Sequence, residues 1–421
     1  MAELYDPQLG AASNALFNTA LAAYLLAMVG YFFRMAFTRV AEGQTTSTAA
    51  GRRIGVAATV VASVGALAHT ASIVTRGLAA ERVPWANMYE YSSGLSLLAV
   101  VIGLVVLQRR LGLGHLMGFV LATATVTMAI ALMLYTDPGP VVPALQSYWI
   151  RIHVTAAMVA SAIFMVAFAA SALYLVKDTA ERRVAERSGQ GFTGSTVGAA
   201  SLTPGAEVAD GQAGAVATGE AASSSGAGAS LAGEGAVPAA GGDQPDDRLD
   251  GDAVEAAGYV SPLEQRRVLS AWPFGVVPAA VVGPFTLVVY QAPVTATVAA
   301  AVAATIGLLA RWSVPHLPDA KTLDTLAYRT IAFGFPIWTF SIIAGAVWAE
   351  EAWGRFWGWD PKETGSFFTW VLYAAYLHAR STSGWRGRRA AWIAVVSFAA
   401  LMVTYYVVNL FVVGLHSYAG V

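Results

Sequence analysis

Residues Ile152 to Val176 read IHVTAAMVASAIFMVAFAASALYLV, a run of 25 residues without an Asp, Glu, Lys or Arg. A helix of that length rises about 37 Å, enough to cross a hydrocarbon core of about 30 Å. The run is apolar all round, so neither a strand with one polar face nor an amphipathic surface helix fits it. A membrane-spanning helix does, because it satisfies every backbone hydrogen bond internally.

Nine more runs of the same kind can be read outward from this one: Leu16 to Phe37, Ile54 to Val74, Met88 to Leu107, Leu116 to Tyr135, Trp272 to Tyr290, Val294 to Trp312, Ile331 to Ala349, Thr364 to Ala379 and Trp392 to Val413. Thr364 to Ala379 is short, and only Gln291-Ala292-Pro293 separates the two runs of Trp272 to Trp312, which read as a tight hairpin or a re-entrant element. The expected fold is all-α, a polytopic integral membrane helix bundle of eight core transmembrane helices plus an extra hairpin, about ten in all, with an external tryptophan-rich loop.

Composition agrees. Of 421 residues, 56% are hydrophobic and only 12% charged, about half the charged share of a soluble domain. With 25 Lys and Arg against 26 Asp and Glu there is no basic field to hold nucleic acid. Cysteine is absent, which removes disulfides, thiolate metal sites, iron–sulfur clusters and cysteine nucleophiles together.

The first run is followed by Arg34 and Arg39 instead of being preceded by a basic segment, the reverse of a cleavable signal peptide. Threading ten spans from an external N-terminus leaves only Arg76, Arg82, Arg151, Arg355 and Lys362 of the 25 basic residues on the outer side. That bias is what the positive-inside rule requires. It expects both termini and the tryptophan-rich loop outside. Between Ser188 and Tyr259 the composition turns to Gly, Ala, Ser and Asp, and the chain divides into a five-helix half (1–180), a disordered cytoplasmic linker (181–265), an extra hairpin with a cytoplasmic loop (266–325) and a final membrane region (326–421).

The densest aromatic cluster, Trp353-Gly354-Arg355-Phe356-Trp357-Gly358-Trp359-Asp360-Pro361-Lys362-Glu363-Thr364, falls in the external loop before the ninth span. An interfacial belt accounts for tryptophans but not for the glycines between them. Glycines allow close backbone approach to a flat surface, and indoles offer stacking faces for a planar ligand. His153 opens the fifth span and His416 follows the tenth, on the same expected face, so two imidazoles flank the loop, as a six-coordinate haem iron requires. His69 and His378 lie within spans at differing depths, where ionisable groups default to functional candidates. His115 and His316 read as solvated loop side chains. Arg355, Lys362 and Arg151 are candidates to pair with haem propionates, Glu90 is an acidic residue without an evident partner, and Asp360 before Pro361 reads first as a turn former.

The run WGRFWGWDPKET resembles the WWD signature of haem-handling membrane proteins. Together with Ile152-His153-Val154, Leu377 to Arg380 (LHAR) and Gly414 to Tyr418 (GLHSY), it is similar to the CcsA/ResC (CcsB-type) family of system II cytochrome c biogenesis. The resemblance spans nearly the whole chain except the linker and the Trp272 to Trp312 pair. Departures are Gly365-Ser366-Phe367-Phe368, where an aliphatic continuation is usual, and the extra pair. The resemblance implies that Trp353, Trp357, Trp359, Asp360, Arg355 and Lys362 belong to a haem-binding loop. It further implies that His153 and His416 are external axial ligands and that His378 is a transmembrane ligand, with His69 or a partner subunit supplying its mate. The implied activity is that of a holocytochrome c synthase in a bacterial plasma membrane, working with a ResB/Ccs1-like membrane subunit to join haem b by thioethers to CXXCH apocytochromes. A chain without cysteine agrees, since the sulfur must come from the acceptor. A haem exporter without ligase activity and a di-haem electron-transfer subunit are the competing readings.

Overall fold

The structure is a computed structural model that describes residues 5–41, 44–188, 262–382, 385 and 387–416. The linker segment from 189 to 261 and Ser417-Tyr418 of the last motif lie outside the described residues.

Ten helices of 15 residues or more follow one another among the described residues: α1 (Pro7–Ala36), α2 (Ala49–Ala79), α3 (Met88–Ile102), α4 (Met117–Met133), α5 (Tyr148–Ser188), then after the short α6 (Pro262–Arg267) α7 (Trp272–Tyr290), α8 (Pro293–Ser313), α9 (Ala320–Trp353), α10 (Pro361–Ser381) and α11 (Arg388–Met402). α3 and α11 continue as π-helical segments, Gly103–Arg110 and Val403–Val408. The protein is an all-α polytopic membrane helix bundle: eight spans are long and apolar enough to cross a bilayer. Of the other two, α7 is apolar but counts only Trp272–Val288 among the described residues, with Pro278 and Pro284 inside it, and α10 has polar residues that include Lys362, Glu363, His378 and Arg380. A two-stranded antiparallel hairpin, Thr38–Ala41 paired with Gln44–Ser47, joins α1 to α2.

Local chemistry sets the helix starts. Asp6 accepts from the N–H groups of Gln8 and Leu9 ahead of Pro7, Thr48 accepts from Gly51, and Asn87 accepts from Glu90, each satisfying donors that the first helical turn leaves orphaned. Gln291 at φ 49° closes α7 and admits the sharp return into α8.

α5 is the most deeply buried span and packs against α3, α9 and α11, while α1 pairs with α2 and leans on α4. Its 41 residues rise about 60 Å, roughly twice the hydrocarbon thickness. The excess carries Lys177, Asp178, Glu181 and Arg182, whose i,i+4 pairs extend the helix past residue 180. Asp178 also receives Arg388 from α11 at 3.1 Å. The α7–α8 hairpin packs mainly on itself, and α8 is almost wholly exposed to the surroundings of the bundle. Its apolar sequence therefore reflects contact with lipid more than with the core.

One reading of the loops is corrected. His115 is fully buried, with neither ring nitrogen hydrogen-bonded, because the turn Gly114–Leu116 folds it under α1 instead of into solvent. His316, in the turn after α8, bonds the Thr38 carbonyl through Nδ1 at 2.8 Å.

Candidate functional site

At the end of the bundle where α9 gives way to α10, the chain must leave one helix and begin another within seven residues. Gly354, at φ 68°, ends α9 in the left-handed region that glycine adopts without strain. Asp360 then caps α10 with Pro361 in the first turn, and Glu363 reaches back in a capping-box arrangement. Glu363 Oε2 accepts from the N–H of Asp360 at 3.0 Å and of Gly358 at 2.8 Å. The turn-forming role read from Asp-Pro is therefore present, and a second role is added. Asp360 Oδ1 accepts from Leu415 N–H at 2.7 Å, and Oδ2 lies 2.6 Å from His416 Nδ1.

The ionisation states follow from this packing. Burial raises the Asp360 carboxyl, but the Leu415 N–H and His416 outweigh it and hold the group below the usual carboxylate range. Burial and the Lys362 ammonium push the His416 imidazole down to about 4, against the upward pull of Asp360. Near neutral pH the ring is therefore neutral beside a carboxylate. A carboxylate only accepts, so the ring proton sits on Nδ1 and the Nε2 lone pair is free.

The second imidazole reaches the same state by another route. His153, in the second turn of α5, lies with Nδ1 2.7 Å from the Ser341 carbonyl of α9. A carbonyl only accepts, so Nδ1 again carries the proton and Nε2 is left free. Gly345 makes this approach possible, since a Cβ there would stand 2.7 Å from His153 Nδ1. Trp348, 1% exposed, stacks parallel to His153 with centroids 6.4 Å apart and lies 5.5 Å from the His416 ring. Its own Nε1–H donates to the Ala144 carbonyl at 2.8 Å.

His153 and His416 line one cavity of about 670 Å³, within the size range of sites that hold an organic molecule. Trp357, Phe356, Lys362 and Arg151 line it too, and Lys362 Nζ donates to the His416 carbonyl at 3.1 Å. Two free imidazole nitrogens, apolar and aromatic walls and two cations form a donor set suited to a planar metal complex bearing carboxylates.

Other residues singled out from the sequence lie elsewhere. Trp353 packs edge-on against Trp348 and His416, behind the cavity wall. Trp359 is 64% exposed, at φ 58°, edge-on to Trp357 and Phe367. Arg355 does not line the cavity but pairs at 3.5 Å with Glu363, which does, its guanidinium filling the space a Cβ on Gly358 would need. The glycine between the tryptophans thus makes room for an arginine of the same loop. His69 is fully buried between Phe17 and Tyr24 of α1, its Nε2 2.9 Å from Ser93 Oγ. His378 is exposed on α10. The structure does not bring His69 and His378 into one site.

Glu90 acquires the partners the sequence did not name. Its fully buried carboxylate meets Arg76 Nε and Arg82 Nη1, each at 2.8 Å, and accepts from Ala86 N–H at 2.8 Å. Arg82 Nε donates to the Gly139 carbonyl at 2.7 Å, so this hub ties α2, α3 and the α4–α5 loop together beside the cavity. Sequence reasoning missed Ser341, Gly345 and Trp348. Their spacing of i, i+4, i+7 places them on one helix face, a pattern that marked the face without showing that it met His153.

The sequence model of a family described as cytochrome C assembly protein matches residues 85–210 and 287–416. A cytochrome c biogenesis protein CcsA of Gloeothece citriformis is 31% identical over 415 residues, covering 96% of this chain and 97% of the relative. A CcsA of Gloeobacter violaceus is 32% identical over 418 residues, covering 98% and 97%. A CcsA of Synechococcus elongatus reaches 58% identity over 103 residues, 24% of this chain and 32% of the relative.

Proposed function

The chain belongs to the cytochrome c assembly protein family, and from that premise we propose that it binds haem b between His153 and His416 and presents it for covalent attachment to apocytochrome c. The observation that carries this reading is that both imidazoles have Nδ1 occupied by an acceptor and line one cavity. A metal-ligating histidine is oriented in this manner, with its second nitrogen donating to a carbonyl or carboxylate.

The integral membrane bundle sits in the bacterial plasma membrane with the cavity end outward, a reading supported by the scarcity of basic residues at that end. Lys362 and Arg151, which line the cavity, pair with the propionates, and Trp357 and Phe356 shield the ring from water. The acceptor brings two thiols and a histidine in a CXXCH segment, docked with a ResB/Ccs1-like membrane subunit. Each thiol adds across one vinyl group: the S–C bond forms at the carbon next to the ring and the thiol hydrogen ends on the terminal carbon, with no net oxidation. The chain contributes by positioning, holding the vinyl edges where the thiols arrive.

The test is the visible spectrum of the purified, reduced protein together with maturation of a reporter apocytochrome. A low-spin two-imidazole spectrum, lost in His153→Ala and in His416→Ala along with holocytochrome, is the expected result. Unchanged spectra and maturation in both variants would overturn the assignment. Haem delivered to the cavity end without thioether formation, in a system reconstituted with the partner, would favour an exporter.

A further inference from the structure

We infer that the two imidazoles have unequal tasks: His153 is the permanent iron ligand, and His416 is the one that gives way to the histidine of the acceptor polypeptide. This rests on the haem-binding reading above.

The argument is an asymmetry in how the two rings are held. His153 belongs to a regular helix, and its anchor is a main-chain carbonyl inside another helix, Ser341 of α9 at 2.7 Å. The ring lies flush against the α9 backbone at Gly345 and parallel to Trp348. α5 and α9 form one of the most extensively packed helix pairs among the described residues. Withdrawing His153 from a metal would mean breaking its bond to the Ser341 carbonyl and swinging the ring out of its contact with Gly345 and Trp348, within an interior as densely packed as an organic crystal.

His416 is anchored differently. It stands five residues beyond Phe411, the last helical residue described, and Val412 to His416 carry no helix. Among the described residues its polar contacts come from side chains at the start of α10: Asp360 on Nδ1 and Lys362 on its carbonyl, with Asp360 also holding the neighbouring Leu415 N–H. These are single-bond rotors, and the segment they hold can withdraw without disturbing a helix–helix interface. Segments with few backbone hydrogen bonds open at the smallest free-energy cost in a fold. Gly414 lets the main chain pass close to the carboxylate, since a Cβ there would lie 2.7 Å from Asp360 Oδ1.

The exchange balances without a co-reactant. One Fe–N bond to His416 Nε2 breaks and one to the acceptor imidazole forms. Both rings are neutral, the Nδ1 proton stays on the His416 ring and is donated to Asp360, and no electron moves. The acceptor histidine thereby enters on the side that its adjacent thiols must approach.

Carbon monoxide tests this on the reduced, haem-loaded full-length protein, because it replaces one axial imidazole and its vibrations report on the one that remains. Changes on the CO side move the Fe–C and C–O stretches in opposite directions along one line, whereas a change in donor strength of the opposite ligand moves the pair off that line. Asp360→Asn is expected to speed CO binding roughly tenfold, in line with the loss typical of an outer-shell partner. It should leave the pair on the wild-type line, since His153 is retained in both proteins. His416→Ala should give a CO adduct on that line as well, and His153→Ala one displaced from it. Displacement in Asp360→Asn, or in His416→Ala with His153→Ala matching wild type, would show that His153 is the ligand that leaves and overturn the inference. A wild-type protein lacking a two-imidazole spectrum would overturn the haem-binding reading itself, and this one with it.

Discussion

His416 Nδ1 and Asp360 Oδ2 stand 2.6 Å apart, tying the segment after the last helix to the first turn of α10. The same carboxylate caps α10, receives the Leu415 N–H and fixes the tautomer of His416. One side chain thereby sets helix start, loop path and ligand orientation together.

Asp360→Asn keeps a good helix cap but loses the charge that orients His416. Fold stability should stay within a few tenths of a kcal/mol of that of the native chain, whereas Asp360→Ala should lose about 1 kcal/mol from the cap. Haem affinity in the Asn variant should fall roughly 10- to 100-fold. Haem titration and thermal unfolding in detergent check the two effects separately.

Gly345→Ala places a methyl group 2.7 Å from His153 Nδ1, closer than real side-chain contacts allow. Alanine favours a helix interior by about 1 kcal/mol over glycine, so α9 should remain helical while His153 is driven from the Ser341 carbonyl. The expected outcome is a folded protein, by circular dichroism, with most of its low-spin haem signal gone. A normal haem signal would mean that His153 is free to relocate.

The His416 imidazole, at about 4, is neutral across most of the acid range. In the haem-free protein the ring should therefore stay neutral from pH 7.5 to about pH 5.5 and gain a proton only as pH approaches 4. Because the folded value lies below the ordinary 6.5, the unfolded chain binds more protons between these limits, and this group's contribution to stability falls as pH drops from 6.5 to 4. The drop in thermal midpoint over that window should be smaller in His416→Ala. An equal drop in both proteins would place the acid sensitivity elsewhere.

Glu90→Ala leaves Arg76 and Arg82 facing each other across a vacated, buried carboxylate position. Removing one partner of a buried ion pair typically costs about 3–5 kcal/mol. Because the hub braces loops that line the cavity, a lower unfolding midpoint should be accompanied by reduced haem retention. Glu90→Gln, which preserves shape and some hydrogen bonds, should lose less of both.

Much of the architecture was legible before any coordinate. The ten apolar runs coincide with ten long helices among the described residues; the short Thr364 to Ala379 run is one of the two that do not count as spans, whereas the second helix of the expected extra hairpin, Pro293–Ser313, does count. The short β-hairpin before α2 went unread because strand pairs of four residues leave no periodicity to detect. Buried His115 was misread because flanking basic residues say nothing about the path of a turn. At the site, the sequence marked His153, His416, Trp357 and Lys362, which line the cavity. It also marked Arg355 and Trp359, which do not, because the same loop composition serves both to build a wall and to brace it.

Alone, the sequence determined that this chain lives in a bilayer as a bundle of helices with a tryptophan-rich loop between two histidines, and that it has no thiol of its own. These properties are sums over local windows: the transfer free energy of twenty residues does not depend on what packs beside them. Only the tertiary structure decided which imidazole nitrogens are free and which side chains hold the others. His153 meets Ser341 across 188 residues of chain and His416 meets Asp360 across 56. Those meetings depend on the rotation and register of packed helices, which are set by complementary surfaces brought together in space and leave no signature in any single window.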